Sequence, residues 1–392
     1  MHRLLASISL TFSSLALAQE PPAAPATPPT RVVLKALPLG GEEDIASRPL
    51  PEHLPAVSVV PEEKAIPLET TSAPTPLDLQ PSGDDAIRLQ IFLDESMFGP
   101  GVIDGRPGLF TQLAVKSWNE VNGHILTDWT QVNTAARMAV KHPYATSLVP
   151  ELAKEWINPN LPSKKPLMAK MKRMSYRSYA EFMSERYHTD VPYLVVLNGK
   201  SKVYNLKPRD SLIVPNVKPF YIEKVTGEMY KAEESMSQRH VVVDTKMNQA
   251  RIFEAAPMAL AIEEDAVAGA PVTIRPNRGL IASFPITPGK PQFIRYGNWK
   301  LNNMIELPSW RYDKQLLETG KRGTDSLEIP PGPNSPVGII WNGTSRSGIG
   351  LHGTPDPETI GRARSAGCVR LANWDAIRLP TLIRPGASVE IR

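Results

Sequence analysis

From residue 240 to the C-terminus the chain reads as a succession of short β-strands, and this restricts its fold more than any other feature. Residues 240–255 (HVVVDTKMNQARIFEA) alternate apolar and polar side chains around a central turn, as the arms of a hairpin do. The run 272–290 (VTIRPNRGLIASFPITPGK) continues in short pieces bounded by Pro and Gly, and 337–342 (VGIIWN), 348–353 (GIGLHG) and 387–392 (ASVEIR) are further strand candidates. Strands with so little helix beside them must bury their apolar faces against one another, which predicts a mainly β domain, closed or sandwich-like. One helical stretch interrupts the pattern at 372–377, where Asn373 is expected as the N-cap.

Upstream the character differs. Residues 1–18 read as a secretory signal: Arg3 in the positive region, an apolar run from Leu4 to Leu17, and an Ala16-Leu17-Ala18 cleavage site. No cysteine follows that site to carry a lipid anchor, and no later segment offers the ~20 uninterrupted apolar residues of a membrane span. An exported protein of the periplasm or cell envelope is expected. The 40 prolines of the chain are unevenly spread, and residues 19–85, dense in Pro, Ala, Thr, Glu and Ser, cannot bury enough apolar surface to offset their ordering entropy. They are expected to be a disordered or polyproline-like tether. Residues 86–142 show helix-like apolar spacing interrupted by the turn-rich FGPGVIDGRPGLF, within a helical domain expected over 86–160, and 164–174 (KKPLMAKMKRM) form a basic cluster. Lys plus Arg number 44 against 40 acidic residues, a net charge of +4, and the two signs are mixed along the chain, so this is no nucleic-acid footprint.

The chemistry concentrates in 348–379. Cys368 is the one cysteine in the chain, and His352 lies sixteen positions before it. A thiol is a good nucleophile only as thiolate, and an imidazole that takes its proton completes the minimum kit for acyl transfer. An exported chain with one cysteine has no internal disulfide to make, so an unpaired thiol there asks for a chemical role. Ala366 and Gly367 leave room for backbone N–H groups to approach an oxyanion, and Arg370 adds a fixed cation able to favour the thiolate or hold a carboxylate. The plainer alternative is a small buried cysteine beside a structural histidine.

His352-Gly353-Thr354, followed after a variable stretch by Ser365-Ala366-Gly367-Cys368-Val369-Arg370-Leu371 and then Asn373, resembles the signature of the YkuD-type L,D-transpeptidases. The likeness extends upstream through 330–338 (PPGPNSPVG) and covers roughly 239–392. It implies a sandwich-like catalytic domain that uses a cysteine acyl-enzyme, with Cys368 as nucleophile, His352 as proton acceptor and donor, and Ser365 and Arg370 gripping substrate. It implies neither cofactor nor metal. Position 366 is Ala where many members carry His, Lys or Arg, and position 353 is Gly where some carry Ser. A backbone carbonyl at Gly353 is therefore expected to orient the imidazole. Trp310 and Trp341 are candidates to line the cleft, with a core role as the alternative.

Two upstream resemblances accompany this one. Leu89-Gln90, the 99–105 turn, Gly108, Thr111 and Ala114-Val115 resemble a small helical peptidoglycan-binding domain, the alternative being a plain helical spacer. Residues 174–222, with a helix at 176–188, a Leu197-Asn198 turn and a closing strand ending at Pro215, resemble a LysM α+β unit, the alternative being a structural hairpin. These imply contact with peptidoglycan stem peptides and glycan.

Other wall chemistries lack their residues. No Ser-x-x-Lys, Gly-x-Ser-x-Gly or His-Glu-x-x-His occurs, and past residue 200 only His240 and His352 remain as histidines. The reaction the family likeness implies is attack on a stem tetrapeptide after its diamino acid, release of D-alanine, and transfer of the acyl group to an amine. That amine belongs to another stem, a free D-amino acid or an envelope protein, while water would make the enzyme a carboxypeptidase. A non-catalytic wall-binding protein is the reading from a different class.

Overall fold

The computed structural model describes residues 33–35, 80–254, 279–291, 293–313, 315, 323–362 and 367–392. The expected signal and nearly all of the expected tether lie outside these residues. In chain order, β1 (Val33–Lys35) precedes α1 (Gly83–Glu95), α2 (Leu109–Asn122) and α3 (Thr130–Ala139). Then come β2 (Tyr144–Leu148), α4 (Lys165–Met168), α5 (Tyr179–Arg186), α6 (Val191–Asn198), α7 (Lys200–Tyr204), β3 (Ser211–Pro215) and α8 (Glu234–Ser237). The β-rich part follows as β4 (His240–Asp244), β5 (Gln249–Phe253), β6 (Leu280–Pro285), β7 (Gly297–Glu306), β8 (Ser309–Asp313), β9 (Ser326–Ile329), β10 (Ile340–Thr344), β11 (Gly350–His352) and β12 (Val369–Arg370). α9 (Asn373–Ala376) and β13 (Ser388–Ile391) end the chain.

Eight strands form one sheet in the order β12-β11-β10-β7-β13-β4-β5-β6. Its pairs are antiparallel except β11 with β12 and β13 with β4, which run parallel. Just past β6, Thr287 N–H donates to the Arg370 carbonyl at 2.9 Å and Arg370 N–H donates back to Thr287 at 3.0 Å. The two edges of the sheet thus meet, and the sandwich-like expectation resolves into a sheet that closes on itself. The period of two fills it: Val241 and Val243 of β4 point into a core with Ala250, Ile252, Phe284, Leu301, Met304, Leu351, Val369 and Val389.

Val242, between those two valines, faces outward and meets the helices. There it shares a second core with Phe253 and Leu280 and with Leu89, Leu93, Ala114, Val115, Val132 and Ala136 of α1–α3. α1 is buried on two sides. Leu89 and Leu93, one helical turn apart, face the sheet, whereas Ile87 and Ile91 face a third core built from Tyr176, Phe182, Met183, Leu194, Leu212, Val214 and Trp374. Gln90 lies between these stripes and orders the following turn, its Oε1 accepting from Asp104 N–H at 3.1 Å and Gly105 N–H at 2.8 Å.

Two expectations are corrected. β2 lies within the segment expected to be helical through residue 160, and it pairs antiparallel with β3, Thr146 opposite Ile213. The aromatic and β-branched residues of YATSL suit a strand, and the partner that makes it one is more than sixty residues away in the chain. Within the expected tether, Val33–Lys35 is a strand parallel to β8, because the Val32-Val33-Leu34 run carries a strand propensity that its Pro-rich flanks lack.

A buried charged cluster joins three distant parts of the chain. Asp94 of α1, fully buried, accepts two hydrogen bonds from the Arg378 guanidinium, at 2.6 and 3.2 Å, and lies 3.0 Å from His188 Nδ1. The His188 ring stacks on Trp374 of α9, with centroids 5.5 Å apart and planes 8° from parallel. Burial alone would raise the Asp94 pKa, but Arg378 and His188 together hold its carboxyl well below the usual range.

Candidate active site

The site is made by two adjacent parallel strands. His352 ends β11 and pairs with Arg370 of β12 on one side and with Trp341 of β10 on the other. Cys368 stands immediately before β12, two residues from Arg370, so strand alternation puts the cysteine, Arg370 and His352 on one face. Gly350 is level with Cys368, and its lack of a side chain has a reason. A Cβ there would lie 2.7 Å from Trp341 Cζ2, because the indole folds across that position. The same indole stacks on the His352 ring, centroids 5.6 Å apart and planes at 22°. Trp341 therefore walls the site.

His352 is 4% exposed, and its Nδ1–H donates to the Gly353 carbonyl at 2.7 Å. That bond selects the tautomer in which Nε2 is the basic nitrogen. Burial, reinforced by the Arg370 charge, lowers the imidazole pKa to about 3, so the ring is neutral at pH 7. The Cys368 thiol donates to the Gly348 carbonyl at 3.4 Å. Burial pushes its pKa up to about 11, against the opposing pull of the Gly350 backbone and Arg370. The resting pair is thus thiol and imidazole, with neither carrying charge. Arg370 acts on both partners, favouring thiolate and disfavouring imidazolium.

Gly353 has no room for a side chain: a Cβ would lie 2.1 Å from Asn373 Oδ1. Gly367 has φ +131°, a conformation that favours glycine, and a Cβ on Gly289 would lie 2.5 Å from the Gly367 Cα. The backbone before Cys368 is therefore packed against the 289 turn. Ser365 and Ala366 lie outside the described residues. Trp310 joins Trp341, Met168, Met174, Ile329 and Val337 in one apolar cluster against which Cys368 packs. Trp310 itself is buried, with the Lys165 ammonium 5.4 Å from its ring centroid, which makes it core beneath α4.

Asn373 is not the N-cap. α9 starts from Ala372 without a side-chain cap, and Asn373 turns its amide back to the preceding loop, Oδ1 accepting from Ile339 N–H and Nδ2 donating to the Pro333 carbonyl, both at 3.3 Å. The reason is that the 333–339 loop is buried and its backbone groups need partners. Sequence reasoning missed this role and the stacking of Trp341, although Asn373 stood in the recognised motif. Among the described residues no cluster of three His, Cys, Asp or Glu side chains could hold a metal ion, and no helix is long and apolar enough to cross a membrane.

Residues 272–391 match the family model described as the L,D-transpeptidase catalytic domain, YkuD. The chain is 39% identical over 78 residues to YkuD of Bacillus licheniformis, spanning 20% of this chain and 47% of that protein. It is 41% identical over 59 residues to YkuD of Bacillus subtilis, spanning 15% of this chain and 36% of that protein. The chain thus spans about half the length of these relatives or less. Among solved structures, an L,D-transpeptidase from Mycobacterium smegmatis is similar over 40% of this chain and 58% of that one, at 14% identity and a TM-score of 0.26. L,D-transpeptidase 3 from Mycobacterium tuberculosis is similar over 48% and 76%, at 12% identity and a TM-score of 0.27.

Proposed function

We propose, for a chain whose residues 272–391 match the YkuD L,D-transpeptidase catalytic domain, that it transfers peptidoglycan stem-peptide acyl groups through Cys368. The observation that carries this is the His352 Nδ1–H bond to the Gly353 carbonyl, which leaves Nε2 as the base on the sheet face that Cys368 shares. As the thiol attacks the carbonyl that follows the diamino acid of a stem tetrapeptide, its proton passes to His352 Nε2 and the S–C bond forms. The N–H groups at Ala366, Gly367 and Cys368 are the donors assigned to the oxyanion, a contribution worth about 10²–10³ in rate for a single donor. Collapse breaks the C–N bond, and the imidazolium protonates D-alanine as it leaves.

An acceptor amine then attacks the thioester carbonyl and gives its surplus proton to His352 as the C–N bond forms; collapse breaks the C–S bond, and the imidazolium returns the proton to the departing sulfur, restoring the thiol. A neighbouring stem's amine yields a cross-link between diamino acids, a free D-amino acid yields exchange, and a lysine of an envelope protein yields attachment. Arg370 and Ser365 are assigned to the substrate's carboxylates and backbone. The neutral resting pair fits this order of events, since charge appears only once a carbonyl is in place to receive the sulfur. The upstream peptidoglycan-binding-like and LysM-like segments are assigned to holding stem and glycan, and the N-terminal signal to export into the envelope.

Intact mass spectrometry after incubation with a purified tetrapeptide, and separately with a carbapenem, tests the proposal. A mass increase is expected with each reagent and is expected to vanish in Cys368→Ala. No adduct on folded protein, or an adduct that survives Cys368→Ala, would overturn it.

A further inference from the structure

The side chain of Asn373 fills the space between two glycines. A Cβ on Gly353 would lie 2.1 Å from its Oδ1, and a Cβ on Gly338 would lie 2.3 Å from the same atom. That oxygen also accepts from Ile339 N–H, and the amide nitrogen donates to Pro333. The Gly353 peptide is pinned from its other side too, because Gly353 N–H donates to the Ile340 carbonyl at 3.3 Å and Leu371 N–H donates to the His352 carbonyl at 2.8 Å. The Gly353 carbonyl, which accepts the His352 Nδ1–H, is backed by Gly338 as well, since a Cβ on Gly338 would lie 2.5 Å from the Gly353 carbonyl carbon. Asn373 lies against the Cα that carries this carbonyl.

We propose that Asn373 is a positioning residue: its amide, wedged between Gly338 and Gly353, fixes the direction of the Gly353 carbonyl and through it the Nδ1–H tautomer of His352. This rests on the reading of His352 as the base. Without the wedge the carbonyl can turn, the bond to Nδ1 weakens, and the fraction of rings presenting a basic Nε2 falls. The effect belongs to the rate of acylation, since Asn373 itself touches neither substrate nor thiol.

Nitrogen NMR of isotope-labelled histidine in the full-length protein, with His352 assigned through His352→Gln, distinguishes the two neutral tautomers directly. In the wild type His352 is expected to be protonated at Nδ1. Asn373→Ala is expected to show mixed tautomers and slower carbapenem acylation, by about 10–100-fold with KM little changed, the range seen when a partner orienting a ligating histidine is removed. Gly353→Ala pushes on the same amide from the opposite side and is expected to do likewise. In the double variant the new methyl enters the space Asn373 vacates, so its loss should be smaller than the two single losses combined. Should Asn373→Ala not fold, the Gly353→Ala spectrum decides. An unchanged His352 tautomer in the folded variants, or single losses that add in full, would overturn the proposal. If the wild type forms no adduct at all, the catalytic reading falls, and the tautomer comparison still judges Asn373 separately.

Discussion

Replacing Arg378 by methionine should destabilise the whole folded unit. The guanidinium makes bonds of 2.6 and 3.2 Å to the Asp94 carboxylate and a third, of 3.1 Å, to the Asp94 carbonyl. Asp94 has no exposed surface, so its charge cannot turn to water once the cation is gone, and His188, whose own burial pushes its pKa down, is a weak substitute. Removing one partner of a buried pair typically costs about 3–5 kcal/mol. With about 2–4 °C lost per kcal/mol in a domain of a few hundred residues, the melting temperature should fall by roughly 6–20 °C. Thermal unfolding at pH 7, followed by circular dichroism and by tryptophan fluorescence, measures this. Asp94→Asn together with Arg378→Met removes the stranded charge, so the double variant should recover about 1–3 kcal/mol of the summed single losses. A fall below about 1 kcal/mol for Arg378→Met, or single losses that add without remainder, would refute the reasoning. Coincident transitions by the two probes would show in addition that α1 and the β-rich part unfold together.

Three further outcomes are expected. Burial raises the Glu185 carboxyl to about 8, with Tyr176 and Asn373 bonded to it and Glu181 and Glu358 adding like charge; the folded state therefore holds a proton that the unfolded state has lost, and stability should decline as pH rises from about 4.5 through 8. Glu185→Gln should flatten that decline, and an unchanged slope in urea melts across this range would count against it. The Cys368 thiol, pushed up to about 11, should alkylate with iodoacetamide at a rate still climbing well above pH 9, and a plateau near neutral pH would show a preformed ion pair instead. Trp341→Ala removes a buried indole that stacks on His352, and should cost about 3–5 kcal/mol of stability as well as slowing acylation; a variant with normal melting and normal adduct formation would remove Trp341 from the site.

The parts of this molecule that sequence reveals are those whose cause is local. The alternation of 240–255 predicts β4 and β5 because a hairpin's two arms and its turn are contiguous. His352 and Cys368 are legible because their chemistry is carried by residue type, and glycine at 353 leaves only a carbonyl to orient the ring. What stays hidden has partners far along the chain. Asn373 reads as a cap until its amide is seen bonded to Ile339 and Pro333, 34 and 40 positions away. The β2 strand is a strand only because β3 pairs with it, and nothing near Asp94 in sequence announces an arginine 284 residues later. Trp341 and Trp310 are equal candidates for the cleft in sequence; only the fold tells them apart, since one lies over the glycine beside the cysteine and the other beneath Lys165.

The double hydrogen bond between Thr287 and Arg370 bears on the strand that follows Cys368. In a sheet left open, β12 would be a border strand, its outward N–H and C=O groups offered to any extended chain that drifted by. Two residues of pairing are enough to turn that border into a seam. Arg370, two residues after Cys368, sits at the stitch that closes the ring, its N–H and C=O both bonded to Thr287 while His352 pairs with it from the other side. An extended chain then finds no vacant rung at Arg370 on which to lengthen the sheet.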